Sequence, residues 1–207
     1  APRIAALITA IGVSFFLENF TALKFVFGAD FITYSRPFDV VVWKIGGVQI
    51  TNITVIIIGV TLLLLVVLWY VVNKTKIGTA MRAPSLDKDA ARLMGINVDG
   101  IISLTFAAGA ALAGAAGVLY AIAFPQIWTL MGIMPGLKAF VAAVLGGIGN
   151  IAGAFIGSLL MGEIDVLVVS FLPAGSRLRD LFAFLVLIIV FLVKPTGILG
   201  EPQVEKV

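Results

Sequence analysis

The sequence predicts an all-α fold: a polytopic bundle of transmembrane helices with a short cytoplasmic helix and one membrane segment broken by glycines. Three observations predict it. Residues 53–72 and 101–124 are apolar runs without a single charge, each able to cross a hydrocarbon core of about 30 Å at roughly 1.5 Å per helical residue. Between them, residues 73–100 carry Lys74, Lys76, Arg82, Lys88 and Arg92 against Asp87, Asp89 and Asp99, and the positive-inside rule places such a basic island in the cytoplasm. The composition agrees: 61% hydrophobic and 12% charged residues with a mean hydropathy of +1.16 exclude an ordinary soluble domain.

The formal charge of +3 comes mostly from the island, so it reflects topology and anionic headgroups; no nucleic-acid partner is expected. Cysteine and histidine are both absent. That removes thiol and imidazole nucleophiles, histidine proton relays and the usual zinc ligands, and no metal site is expected.

The chain opens with Ala1, Pro2 and Arg3, without Met, and its first apolar run covers only residues 4–17, short of the roughly 20 residues of a span. The expectation is an N-terminally truncated fragment whose earlier spans are missing, with residues 4–17 the outer part of its first span. Residues 18–52 balance three basic against three acidic residues and belong outside. Within them, residues 40–51 alternate around Gly46 and Gly47 and predict a small hairpin, either an outer lid or a docking surface. Residues 53–72 then run inward and end in Trp69 and Tyr70, aromatic rings suited to the interface.

Residues 101–124 run outward. Gly109 with Ala113, Ala110 with Gly114 and Ala113 with Gly117 stand four apart, a pattern that lets helix backbones approach closely in lipid. Residues 139–172 are almost unbroken in apolarity, yet one helix of that length would measure about 51 Å. It must break, and Gly146, Gly147, Ile148, Gly149 and Asn150 mark the place, giving helices over 138–145 and 151–172. Irregular backbone at membrane depth must be buried in protein or line a water-filled cavity, so the break is a packing device or part of a permeation route. Gly149, Gly153 and Gly157 form a second close-packing stripe.

Glu163 and Asp165 are costly in that segment unless they face the bundle interior or sit hydrated near a helix end. The last run, 181–193, is short and needs Arg177, Arg179, Asp180 and Lys194 to reach the interface. Topology beyond Lys138 has two solutions. If the broken segment crosses, 151–172 runs outward and the C-terminus is inside; if it re-enters, the C-terminus is outside.

Inside the island, residues 85–95 read as one helix. The Ser85 hydroxyl can cap free amides, Asp87 and Asp89 suit the positive end of the helix dipole, and Gly95 offers a left-handed cap with Ile96 as its apolar partner. Leu86, Ala90, Leu93 and Met94 share a side. So short a helix needs support: the membrane surface, or a groove on a cytoplasmic protein into which Ala90 and Ala91 fit closely. No Gly-x-x-x-x-Gly-Lys-Ser/Thr motif occurs in the chain, so nucleotide is handled elsewhere and the chain is not itself an enzyme.

Three segments carry a family likeness: IGTAMRAPSLDKDAARLMGIN (77–97), GLKAFVAAVLGGIGNIAGAFIGSLLMG (136–162) and KPTGILGEPQVEKV (194–207). With them the chain resembles the permease subunits of ABC importers for branched-chain amino acids, the LivH type, over essentially its whole length. The resemblance implies a single permease transmembrane domain over 1–207 in the plasma (inner) membrane of a prokaryote. It also implies a second homologous permease, two cytoplasmic ATPase subunits that hold the ATP, and a periplasmic or extracellular substrate-binding protein. No cofactor is bound directly. It implies a cytoplasmic C-terminus, hence the crossing solution, and makes the 85–95 helix the ATPase-coupling element. Ser85, Asp87, Asp89, Ala90, Ala91 and Gly95 are its candidate residues, with Asp89 where the usual motif has Glu. Relatives carry an acid at the position of Asp165, whereas Glu163 falls on an apolar position.

The translocation path is expected at Gly146, Gly147, Gly149, Asn150 and Asp165, unwound backbone supplying polar contacts beside small apolar side chains. Two rivals stand beside this reading. One is an ABC permease for urea, amides or other amino acids. The other is an ion-coupled carrier or channel, whose signature of buried ionisable groups rests here on Glu163 and Asp165 alone, with no basic partner near in sequence.

Overall fold

A computed structural model describes residues 3–45, 47–172 and 175–200. The all-α expectation holds. In order come α1 (Arg3–Thr21), β1 (Ile32–Thr33), β2 (Val42–Ile45), β3 (Val48–Thr51), α2 (Asn52–Lys74), α3 (Lys76–Leu86), α4 (Lys88–Leu93), α5 (Val98–Ala123), β4 (Gln126–Ile127), α6 (Ile133–Gly146), α7 (Ile151–Phe171) and α8 (Gly175–Val193). Among the described residues α2, α5 and α7 are long and apolar enough to cross a membrane. The chain divides into two compact units, Ala1–Thr129 and Leu130–Val207.

In the first unit, the predicted hairpin is present. β2 and β3 pair antiparallel with Ile45 opposite Val48, and Gly47 takes the positive φ of +87° that a two-residue turn requires; Gly46 lies outside the described residues. Asn52 fastens this hairpin to α2. Its Nδ2 donates to the Asp39 carbonyl at 2.8 Å, and its Oδ1 accepts from the Ile53 amide at 2.9 Å and the Val41 amide at 3.2 Å. A second tie joins the loop to the exit of α5, where β1 pairs antiparallel with β4. There the Arg36 Nε donates to the Ile122 carbonyl at 3.0 Å, placing a cation on the carbonyls that end α5.

The other end of this unit departs from the sequence reading. α2 stops at Lys74 because Thr75 is extended, and the chain turns at once into α3. The Thr75 Oγ1 donates back to the Val71 carbonyl at 2.6 Å and accepts from the Gly78 amide at 3.2 Å, so one hydroxyl serves both helices. Gly78 sits against the Val71 and Val72 carbonyls, where a Cβ has no room. Among the described residues the close-packing glycines expected on α5 are left open: a Cβ at Gly109, Gly114 or Gly117 would meet nothing within 4 Å.

In the second unit, the glycine break is a reversal. Gly146 packs on Gly153 and Gly157 packs on the Ala142 carbonyl, so contacts step down α6 as they step up α7, and the two helices form an antiparallel hairpin. α6 begins at Ile133, ahead of the expected 138, with Pro135 in its first turn where an amide has no helical partner. Gly147 at φ +109° and Gly149 at φ +93° make the turn. The stripe expected over Gly149, Gly153 and Gly157 is thus carried by Gly153 and Gly157, which are buried, while a Cβ at Gly149 would face open space. Gly175 packs under Val168 as α8 starts back. Val141, Ala142, Met161 and Ala183 form the core between the three helices, with Leu187 against it. At 19 residues, α8 reaches about 28 Å, which settles the shortness of its apolar run: Arg177, Arg179 and Asp180 lie inside the helix.

Candidate functional site

The island folds as two helices, which corrects the single helix over 85–95. Pro84 is tolerated in the last turn of α3, where its ring removes one intrahelical bond, and Ser85 belongs to that turn, its Oγ donating to the Arg82 carbonyl at 2.7 Å. The cap of α4 is Asp87. Its Oδ1 accepts from the Asp89 amide at 2.9 Å and the Ala90 amide at 3.1 Å, satisfying two donors that the first turn leaves open. A carboxylate does this better than the Ser85 hydroxyl because it also meets the positive end of the helix dipole.

The other end of α4 matches the expectation. Gly95 lies at φ +82°, the Ile96 amide donates to the Ala91 carbonyl at 3.1 Å and the Gly95 amide to the Arg92 carbonyl at 3.0 Å, the paired bonds of a Schellman stop. Arg92 reaches Asp89 at 3.7 Å and Asp99 at 3.8 Å, exposed contacts that add little stability. A second correction concerns which face is presented. Ala91 is buried against its own unit, whereas Ala90 is exposed. Leu86, Leu93 and Met94 are 84%, 89% and 83% exposed. The unit thus supports α4 through Ala91 and leaves three large apolar side chains outward, a cost in water that a partner surface would remove.

The remaining predicted residues lie in the second unit but not together. Gly146, Gly147 and Asn150 shape the turn. The Asn150 Oδ1 caps α7 by accepting from the Gly153 amide at 3.0 Å, and its Nδ2 donates to the Leu199 carbonyl at 3.1 Å. The segment after α8 closes on this turn. The Ile198 amide donates to the Leu145 carbonyl at 2.8 Å and the Leu199 amide to the Gly146 carbonyl at 2.9 Å, so α6 carbonyls left free at its end are satisfied by the tail. Gly147 faces Gly200 so closely that no side chain fits. Asp165 is elsewhere, fifteen residues up α7 from Asn150, about 22 Å away along the helix.

Asp165 also has the partner that its sequence neighbourhood lacks. The Lys138 Nζ donates to its Oδ2 at 2.7 Å and stands 3.1 Å from the Asp180 Oδ1, joining α6, α7 and α8 through one ammonium. Lys138 and Asp165 side chains are 21% exposed, Asp180 48%. Glu163 is exposed and takes no part. Sequence reasoning missed Lys138 and Asp180 as members of this group, since 27 residues separate Lys138 from Asp165; the signal was a lone lysine in the apolar segment that a hairpin at the glycines would carry back onto α7.

The family model described as "Branched-chain amino acid transport system / permease component" matches residues 1–191. The chain is 42% identical over 210 residues to the high-affinity branched-chain amino acid transport system permease protein LivH of Escherichia coli (strain K12), covering 99% of this chain and 67% of that protein. It is 41% identical over 207 residues to the corresponding permease protein BraD of Pseudomonas aeruginosa, again 99% and 67%. With a probable LivH of Methanocaldococcus jannaschii it shares 31% identity over 146 residues, 68% of this chain and 46% of that one. No solved structure matches the chain.

Proposed function

This chain belongs to the branched-chain amino acid transport permease family, and from that premise we propose that it is the transmembrane permease subunit of an ABC importer for branched-chain amino acids. The observation that carries the reading is the identity to LivH and BraD running across 99% of the chain. It works in the plasma membrane of a prokaryote, beside a second permease. Two cytoplasmic ATPase subunits supply the nucleotide chemistry and an external binding protein delivers the cargo.

In this reading α4 is the coupling element. The exposed Leu86, Leu93 and Met94 enter a groove on an ATPase subunit, Asp89 and Ala90 lie at its rim, and Asp87 with Gly95 keep the rod short and rigid. Closure of the ATPases around ATP moves the groove, and α4 passes that movement through Ala91 into α3 and α5. Supporting this is the combination of two well-formed caps with a large apolar face left open, since a helix that is fixed at both ends transmits displacement better than a frayed one. The tail over 194–200 lies in the cytoplasm with the 147–150 turn beside it. The Lys138 group then lies toward the outer end of the second unit.

The test is reconstitution. The chain, its neighbouring permease and ATPase gene products and the binding protein are placed in vesicles, and leucine uptake is followed. Uptake that needs both ATP and the binding protein is expected; uptake driven by an ion gradient without ATP would overturn the proposal.

A further inference from the structure

Three helices whose outward surfaces are apolar, with Phe140, Val166, Leu167 and Leu181 all exposed, bring three charges to one point. Hydrocarbon cannot solvate such charges, so the point faces protein or water. A mechanical clamp would be complete with one cation and one carboxylate. Here a second carboxylate is added, Asp180, about half exposed at 48%. The Oδ1 of Asp165 is enclosed without any hydrogen-bond donor, although enclosed carboxylate oxygens are normally satisfied. The Asp165 oxygen without a donor is closed off, so the carboxylate that a further donor can reach is Asp180. The basic side keeps a donor: an ammonium has three N–H groups, and two of those on Lys138 are engaged by Asp165 and Asp180. Arg177 and Arg179, exposed within a turn of Asp180, form no ion pair among the described residues.

One open N–H and one partly open carboxylate therefore stand side by side. The two charges of an α-amino acid are borne on one carbon and need such a pair. We infer that Lys138, Asp165 and Asp180 form a contact site for the zwitterionic headgroup of an amino acid, its ammonium donating to Asp180 and its carboxylate accepting from Lys138, with Asp165 positioning Lys138. The inference rests on the amino-acid permease reading above. Phe184, one turn along α8 from Asp180 and partly exposed, lies on the same helix face and offers apolar surface to an aliphatic side chain.

The chain holds no cysteine, so Asp180→Cys places a single thiol in it. The complex, with reactive thiols removed from the other subunits, is reconstituted in vesicles and treated from the binding-protein side with membrane-impermeant anionic or cationic methanethiosulfonates. Asp180→Cys and Asp180→Asn should each lower leucine uptake and leucine-stimulated ATP hydrolysis about tenfold in complexes that still assemble. The anionic adduct should restore uptake at least threefold, the cationic adduct should not, and turnover with leucine should slow labelling. Uptake within twofold of the parent overturns the inference. So does equal rescue by both adducts, or a thiol that does not react, which would mean lipid or a partner's side chain covers the site. Loss of assembly in both variants would assign the group to helix clamping alone. If the parent complex imports no leucine, the transport reading itself fails and this site fails with it; parent uptake with unaffected Asp180 variants removes the site alone.

Discussion

Asp87 and Ser85 show how one residue decides where a helix starts. Both types cap helices, and a sequence with Ser85 before Leu86 and Asp87 offers two starts. The carboxylate wins, and Ser85 bonds backward to Arg82 within α3. Replacing Asp87 by Ala should cost about 1 kcal/mol of α4 stability, read as roughly fivefold faster hydrogen exchange at the Asp89 and Ala90 amides. Ser85→Ala should leave those amides unchanged; the reverse outcome would restore Ser85 as the cap. Gly147 is a second case. Its positive φ and contact with Gly200 mean that a bulky replacement disturbs the turn before it touches any cargo, so loss of uptake in such a variant reports packing and not permeation.

Among elements, α4 and the α6–α7 hairpin differ in what their small residues do. Ala91 is small because it lies on the buried side of α4, whereas Leu93 is 89% exposed. Leu93→Asp should thus leave the membrane unit folded and cut substrate-stimulated ATP hydrolysis about tenfold in the assembled complex, while Ala91→Leu should lower the thermal stability of the chain itself. Equal stability loss in both variants would mean that Leu93 packs within its own unit. In the hairpin, Gly153 and Gly157 meet α6 backbone, the close approach that small residues allow in lipid. The same composition on α5 meets nothing among the described residues. The i, i+4 pattern identifies a surface able to pack closely and says nothing of whether this chain provides the neighbour.

At the scale of the whole molecule, topology is the testable property. If α4 stands at the cytoplasmic face, as proposed, Lys88→Cys should resist impermeant thiol reagents in intact cells and react after permeabilisation. Labelling of Lys88→Cys from outside would reverse the orientation of α2 and α5 and remove α4 from any cytoplasmic partner. The three-charge group also belongs to this scale, because it exists only when α6, α7 and α8 are assembled.

Local and periodic properties determined much of this protein. The apolar runs over 53–72 and 101–124, the glycine break, the hairpin around residues 46 and 47 and the Gly95 stop were all legible, since each depends on neighbours a few residues away: hydropathy over a span, or the φ that only glycine adopts freely. Tertiary structure decided the rest. Whether 147–150 bends a span or reverses it, whether Ala91 faces in or out, and whether Asp165 stands alone or meets Lys138 are set by contacts between distant segments. In a membrane bundle almost every surface is apolar, so hydropathy marks which segments enter the bilayer. Backbone fit and the pairing of the few charges choose which faces meet.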